Sequence, residues 1–418
     1  MLKTTRQTDP ALYDIVAREL DRQEHNIEMI ASESTAPTEV LELSGCVFNN
    51  KTTEGYPGNR FQAGSHVADD LERLAIQRCK DVYGAEHVNM QPYSGSTANY
   101  GVYTAILDPG DRIMGMRLDQ GGHLTHGSPV NFNTKFYKFS SYGVDEKNEL
   151  IDYDALDRQA KEVQPKLIIA GASSYPRLID YERIAKTAKS VGAYFLADMA
   201  HVSGLVGAGV IPSPVPYADF VTSSTSKTFC GARGGFIMSK AEHAKKLDKA
   251  VFPGTLGSIH LQAIAANAWV FEQMKSAQYK NTMKQILANA KKLAEALTGH
   301  GFRIVSGGTD NHIVLTDLRP KNITGKLFQE ALEKVGITVN KNMVPFDPAS
   351  PFVTSGVRIG LTSTTQRGLK EKDIEGIAAI MNQVAEAPEN EASLAEAKQK
   401  AEALISRFPL YPAGYFED

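Results

Sequence analysis

The chain has little that would commit it to a membrane, an oxidising compartment or a polyanion. Its 418 residues include three cysteines, Cys46, Cys79 and Cys230. They are odd in number and widely spaced, which argues against a disulfide framework and offers no zinc spacing, so a reducing cytoplasm is the expected compartment. No run of about eighteen apolar residues occurs, and the opening Met1-Leu2-Lys3-Thr4-Thr5-Arg6-Gln7 lacks the apolar stretch of an export signal. The chain is therefore expected to be soluble and unexported. With 45 basic side chains against 48 acidic ones, the formal net charge is −3. No basic patch points to nucleic acid, and no polybasic segment points to a membrane surface. Internal repeats are lacking too.

What is present is the alternation of an α/β protein. The length predicts two or three domains. Ala11–Leu20 carries apolar residues at three- and four-residue spacing and reads as a helix in an N-terminal arm over residues 1–30. Helical stretches then alternate with short apolar runs: Val88–Met90, Arg112–Gly115, Leu167–Ala170, Tyr194–Ala197, Phe220–Thr222 and Gly235–Met238. Such alternation predicts a large domain over 31–280 built on a mostly parallel sheet. From 281 to 418 the pattern changes to a smaller α+β domain. Its strands are expected at Phe302–Val305, His312–Leu315, Gly336–Val339 and Val357–Gly360, and Glu386–Lys400 reads as a solvated helix.

The chemistry concentrates at strand ends. The run Tyr194–Ala197 ends in Asp198, with His201 three positions on; about thirty residues later a second run leads into Ser224-Thr225-Ser226-Lys227-Thr228 and a Gly-rich exit, Gly231-Ala232-Arg233-Gly234-Gly235. A lysine among hydroxyls can hold an aldehyde cofactor covalently, and an acid can keep a pyridine nitrogen protonated. Together they suit pyridoxal 5'-phosphate (PLP). Ser94-Gly95-Ser96-Thr97 opens a helix after Val88–Met90, and small hydroxylated residues at a helix N-terminus suit a phosphate dianion. His123 and His126 lie in a Gly-rich loop where an imidazole can stack on a flat ring. A metal site would need a third ligand at helical or hairpin spacing, none is near in sequence, and no metal is expected. Glu54 sits in a turn-rich segment as a candidate acid/base. Arg358, in an apolar strand, is either paired within the protein or available for a substrate carboxylate. Cys230, close to Lys227, reads as a small buried hydrophobe.

With these residues in hand, the chain resembles the serine hydroxymethyltransferase family, fold-type I PLP-dependent transferases that interconvert serine and glycine with tetrahydrofolate as one-carbon acceptor. The resemblance runs almost end to end. It is carried by Ile30–Glu33, Glu54–Gly58, Ser94–Ser96, Gly121–Asn131, Asp198–Val202, Ser306–His312 and Ser350–Gly356. It implies that Lys227 anchors the cofactor, Asp198 holds its ring nitrogen, His201 reaches the ring hydroxyl and His123 stacks on the ring. Ser94, Gly95 and Ser96 would hold the phosphate, joined by Gly257 of a neighbouring subunit, and Ser173 and Ser224 match further cofactor contacts. Arg358 and Ser32 would bind the amino-acid carboxylate. Glu54, from the partner in a homodimer or a tetramer built on it, would shuttle the proton. Leu118, Gly122 and Asn342 fall where the family holds folate.

The departures fall in the same segments. The family's Thr-His-Lys-Thr-Leu has Ser226 for His and Phe229 for Leu, and its Gly-Pro-Arg-Gly-Gly has Ala232 for Pro. Two tyrosines near the substrate are replaced, one by Lys51 or Thr52 (Thr52 being the better match) and the other by Gln62. Gly-Gln-Gly-Gly becomes Thr255-Leu256-Gly257-Ser258, and Thr-Pro-Ala becomes Leu361-Thr362-Ser363. Losing two phenols beside the reacting carbon favours an α-substituted serine such as α-methylserine, with D-alanine as product, or another β-hydroxy amino acid, over serine itself. A folate-independent β-hydroxy amino acid aldolase and a silent PLP-binding homologue are the alternatives.

Overall fold

The computed structural model describes residues 3–416. They form two compact units: Ala36–Lys284, and the residues up to Thr35 together with Gln285 onward.

The larger unit is built on one seven-stranded sheet. In chain order its strands are β1 (His87–Asn89), β2 (Arg112–Met116), β3 (Lys138–Tyr142), β4 (Leu167–Ala170), β5 (Tyr194–Asp198), β6 (Phe220–Ser224) and β7 (Gly235–Ser239). The spatial order is β1-β7-β6-β5-β4-β2-β3. The strands from β6 across to β3 are parallel, while β7 runs antiparallel to both of its neighbours. Central strands of such a sheet are covered on both faces, so they read as continuous apolar runs. Successive residues still point to opposite faces. Ile168 and Phe195 enter one core with Met114, Phe229, Phe236 and Phe271. Leu167, Ile169 and Leu196 enter the other with Val102, Tyr103 and Ile237. The strand with no counterpart among the expected ones, β3, lies at the sheet edge. Its Lys138-Phe139-Ser140-Ser141-Tyr142 is mostly solvated, so no apolar run marks it.

In the other unit, Arg303–Ile304, Ile313–Asp317, Gly356–Gly360 and Asn340–Asn342 form an antiparallel sheet in that spatial order. The N-terminal segment, expected as a separate arm, belongs to this unit. Asp9 caps helix Pro10–His25 by accepting the Leu12 N–H at 3.1 Å. Ile27 and Glu28 then pair in parallel with Ile337 and Thr338. The buried Arg367 guanidinium donates to the carbonyls of Gln23, Glu24, Asn26 and Phe408, tying the N-terminal segment to the C-terminal one. The solvated helix expected over Glu386–Lys400 is corrected on two counts. The chain breaks around Pro388 between helices Glu371–Glu386 and Glu391–Ile405, because proline removes a backbone donor. The second helix is amphipathic rather than solvated, since Leu394, Ala397, Ala401, Leu404 and Ile405 are buried. Among the described residues, no helix is long and apolar enough to cross a membrane.

Candidate active site

The parallel strands of the larger unit deliver their carboxyl ends to one edge, where ligands of open α/β sheets bind. Asp198 ends β5, Ser224 ends β6 just ahead of Lys227, the Gly171–Ser174 loop follows β4, and the His123 loop follows β2.

Asp198 is the most thoroughly held of these groups. Its Oδ2 accepts from Asn99 Nδ2 at 2.8 Å and pairs with His126 Nε2 at 3.0 Å. Its Oδ1 accepts from the Ala200 N–H at 3.0 Å. Asn99 is oriented in turn, because its Oδ1 accepts from Thr222 Oγ1 at 2.6 Å and its Nδ2 also reaches Thr125 Oγ1 at 2.9 Å. Burial alone would raise the Asp198 carboxyl. The His126 hydrogen bond, the neighbouring imidazoles of His126 and His123, and the Asn99 amide outweigh it and hold the group well below the usual carboxylate range. A buried acid kept ionised is what a protonated pyridine nitrogen requires. Gly171 has a packing reason as well: a Cβ there would lie 2.3 Å from the Asp198 carbonyl oxygen.

His123 is oriented by Thr125, whose N–H donates to His123 Nδ1 at 3.2 Å and whose Oγ1 lies 2.8 Å from it. The two imidazoles are 5.5 Å apart and steeply inclined. The third metal-type ligand absent from the sequence neighbourhood is supplied here by Asp198, whose oxygen lies within 4.8 Å of a nitrogen of each histidine. Oδ2 of this carboxylate already takes the Asn99 and His126 N–H groups, so the group is organised as a hydrogen-bonded carboxylate. The Ser173 N–H donates to the Gly121 carbonyl at 2.7 Å, joining the loops after β2 and β4. Gly122, expected at a folate position, is required by packing, since a Cβ would lie 2.1 Å from the Met116 oxygen. Leu118 is about half exposed.

The Lys227 loop is a tight turn. Cys230 adopts φ +64° and donates its N–H to the Lys227 carbonyl at 2.9 Å, and Gly231 donates to the Thr225 carbonyl at 2.8 Å. Thr228 Oγ1 donates to the carbonyl of the buried His201 at 2.8 Å, so the loops after β5 and β6 are joined. Phe229, which stands for the leucine of the family's motif, is a core residue. It is fully buried, and its ring packs 5.0 Å from that of Phe271 and 5.9 Å from that of Phe236. Cys230 is likewise buried.

Ser94 caps helix Gly95–Ile106 in a reciprocal box with Thr97: Ser94 Oγ accepts the Thr97 N–H at 3.2 Å and Thr97 Oγ1 accepts the Ser94 N–H at 2.9 Å. A Cβ on Gly95 would meet Ser224 Cβ at 3.4 Å and Ala200 Cβ at 3.6 Å, so this helix start faces the strand-end residues. Free N–H groups of the first turn, small residues, an ionised acid and a lysine are the donor set that PLP needs, and the residues present fit it.

Glu54, Gln62 and Gly257 make a second constellation on the same unit. Gln62 Nε2 donates to Glu54 Oε2 at 2.7 Å, and Gln62 Oε1 accepts the Glu54 N–H at 2.9 Å. A Cβ on Gly257 would lie 3.4 Å from Glu54 Oε1. Tyr93, which precedes Ser94, donates to the Ser258 carbonyl, and its hydroxyl is raised by burial and then by the charge of Glu54. Thr52 is exposed. No residue of this constellation was expected to interact with another, because a side-chain amide clamping a nearby acid leaves no pattern in sequence.

Arg358, Ser32 and Asn342 belong to the other unit. Arg358 Nε donates to Asn340 Oδ1 at 3.0 Å, and burial lowers its guanidinium to about 10. Ser32 follows Ala31, which packs so closely on Gly360 that a Cβ there would lie 2.3 Å from the Ala31 Cα. Asn342 pairs with Gly356 across the sheet, and its Nδ2 donates to the Met343 carbonyl at 2.7 Å.

Fold and strand-end chemistry together define a fold-type I PLP enzyme. The family model described as Serine hydroxymethyltransferase matches residues 5–381, and the chain belongs to that family. Membership carries PLP-dependent hydroxymethyl transfer between serine and glycine at the level of the family.

Proposed function

We propose that this protein transfers a hydroxymethyl group between tetrahydrofolate and a serine-type amino acid, and that it accepts a substituent on the substrate Cα, as in α-methylserine. The observation that carries the reading is the engagement of Gln62. Its amide is turned onto Glu54, and Thr52 is short, so the bulk of two phenols beside the reacting carbon is not replaced.

When bound, PLP supplies an electron sink for the bond broken at Cα. Lys227 holds it through the ε-amine, and Asp198, kept ionised, holds the proton of its ring nitrogen. The N-terminus of helix Gly95–Ile106 binds its phosphate, with Gly257 added from a second subunit. Arg358 binds the substrate carboxylate with Ser32 beside it, and a half-buried guanidinium gains more from that ion than an exposed one would. Glu54 exchanges the proton of the substrate hydroxyl as the one-carbon unit leaves. The shared site requires at least a homodimer.

Steady-state rates of the PLP-loaded enzyme with L-serine, α-methyl-L-serine and threonine, each with and without tetrahydrofolate, and of the reverse reaction with D-alanine and 5,10-methylenetetrahydrofolate, test this. The α-methyl substrate should match or exceed serine in kcat/KM and should require folate. Serine with folate outrunning every other pair by about tenfold, a 1.4 kcal/mol preference, would refute the substituent. Turnover without folate would instead select the aldolase.

A further inference from the structure

The hairpin that carries Glu54 is anchored from several sides. Gly55 and Tyr56 pair with Arg60 and Asn59, and the turn between them uses Gly58 at φ +84°. The Gly55 carbonyl takes two donors, Arg60 Nη1 at 2.6 Å and Gln91 Nε2 at 2.9 Å. Arg60, buried, is ion-paired with Asp69 and Glu72. On the other side of Glu54, the Thr53 N–H donates to Ser258 Oγ at 3.2 Å, and the Thr53 carbonyl accepts the Ile259 N–H at 3.2 Å. The backbone on both sides of Glu54 is therefore fixed.

The hairpin also returns Gln62 alongside Glu54, with the Phe61 N–H on the Glu54 carbonyl at 3.2 Å. One amide then grips Glu54 at both ends, its oxygen on the main-chain N–H and its NH2 on carboxylate Oε2. With Oε2 committed as an acceptor, Oε1 is the oxygen turned toward Gly257.

We propose that Gln62 is a positioning residue for Glu54: it fixes the rotamer of the acid and reserves Oε1 for proton exchange. This rests on the reading of Glu54 as the group that moves the substrate proton. Gln62 acts through Glu54 and needs no contact with substrate, so its effect belongs in kcat rather than KM. A leucine or methionine here would fill the same volume without orienting the acid.

The test is a double-mutant cycle on the PLP-loaded enzyme, with Gln62→Met, Glu54→Gln and the double variant, and hydrogen exchange at the Glu54 amide in the cofactor-free protein. Misplacing an acid/base group by about 1 Å costs about 10- to 100-fold, so Gln62→Met should lower kcat by that factor with KM within about threefold. The Glu54 amide should exchange about fivefold faster, consistent with one lost hydrogen bond of about 1 kcal/mol. In the Glu54→Gln background, Gln62→Met should change kcat by less than about twofold, because the two act as a unit. Gln62→Asn, whose shorter amide cannot span both contacts, takes the same test if Gln62→Met does not fold. Unchanged kcat in Gln62→Met while Glu54→Gln is inactive overturns the positioning role alone, as does an equal loss in both backgrounds. Wild-type turnover by Glu54→Gln overturns the reading of Glu54, and the role of Gln62 with it.

Discussion

Replacing Asp198 by Asn tests the strand-end chemistry with the least change of shape. The carboxylate receives three N–H groups: Asn99 Nδ2 and His126 Nε2 on one oxygen, and the Ala200 N–H on the other. An amide offers one acceptor oxygen, so it cannot satisfy both positions. Placed toward Asn99 and His126, it turns its NH2 against the Ala200 N–H and leaves that buried donor unmatched, a loss of about 1–3 kcal/mol. The two bonds that remain lose their charge assistance, which halves them, and the total reaches about 2–4 kcal/mol. In catalysis the variant would remove the ion that the proposed function assigns to the ring nitrogen, and losing such a preorganised partner costs about 10²- to 10³-fold in kcat. Acid dependence supplies an independent reading. The folded carboxyl lies below its unfolded value, so its stabilisation is complete above the unfolded pKa of about 3.9 and is lost as pH falls below it. Urea titrations of the cofactor-free protein across pH 2–6 (roughly the window that brackets that unfolded value) should therefore show a shallower acid limb in Asp198→Asn than in wild type. Equal stability at pH 6 together with more than about a tenth of wild-type kcat would refute the assignment, because neither the hydrogen bonds nor the charge would then matter.

Two further substitutions probe the residues on which expectation and structure bear differently. Arg358→Lys should raise KM for the amino acid by about 10- to 100-fold, the equivalent of one charge-assisted hydrogen bond at 1.5–3 kcal/mol, with the folded state retained; initial-rate kinetics read it directly. Phe229→Ala should cost about 3–5 kcal/mol of stability by opening the aromatic cluster with Phe236 and Phe271, and leave the ratio of α-methylserine to serine turnover unchanged. A changed ratio would refute the reading of Phe229 as a core residue with no bearing on substrate.

Chain order and residue type alone determine the main features of this protein. The alternation of apolar runs with helices dictates a mostly parallel sheet, because a strand covered on both faces must be apolar throughout, as β4 is from Leu167 to Ala170. The places of Asp198 at the end of β5 and of Lys227 just past β6 also follow from the chain, because each apolar run marks where its strand stops. Edge strand β3 carries no such mark, and neither does the burial of helix Glu391–Ile405, whose charged face conceals a narrow apolar stripe. Tertiary structure alone decides which groups meet across long separations. Asn99, His126 and Ala200 converge on one carboxylate although 99 positions separate Asn99 from Asp198, and Phe229, two residues from Lys227, is buried in the core. Gln62 is eight residues from Glu54, yet only the hairpin's geometry turns its amide onto the acid. A hydrogen bond depends on directions in space set by the whole backbone, whereas burial of a strand depends on side chains that the chain spells out in order.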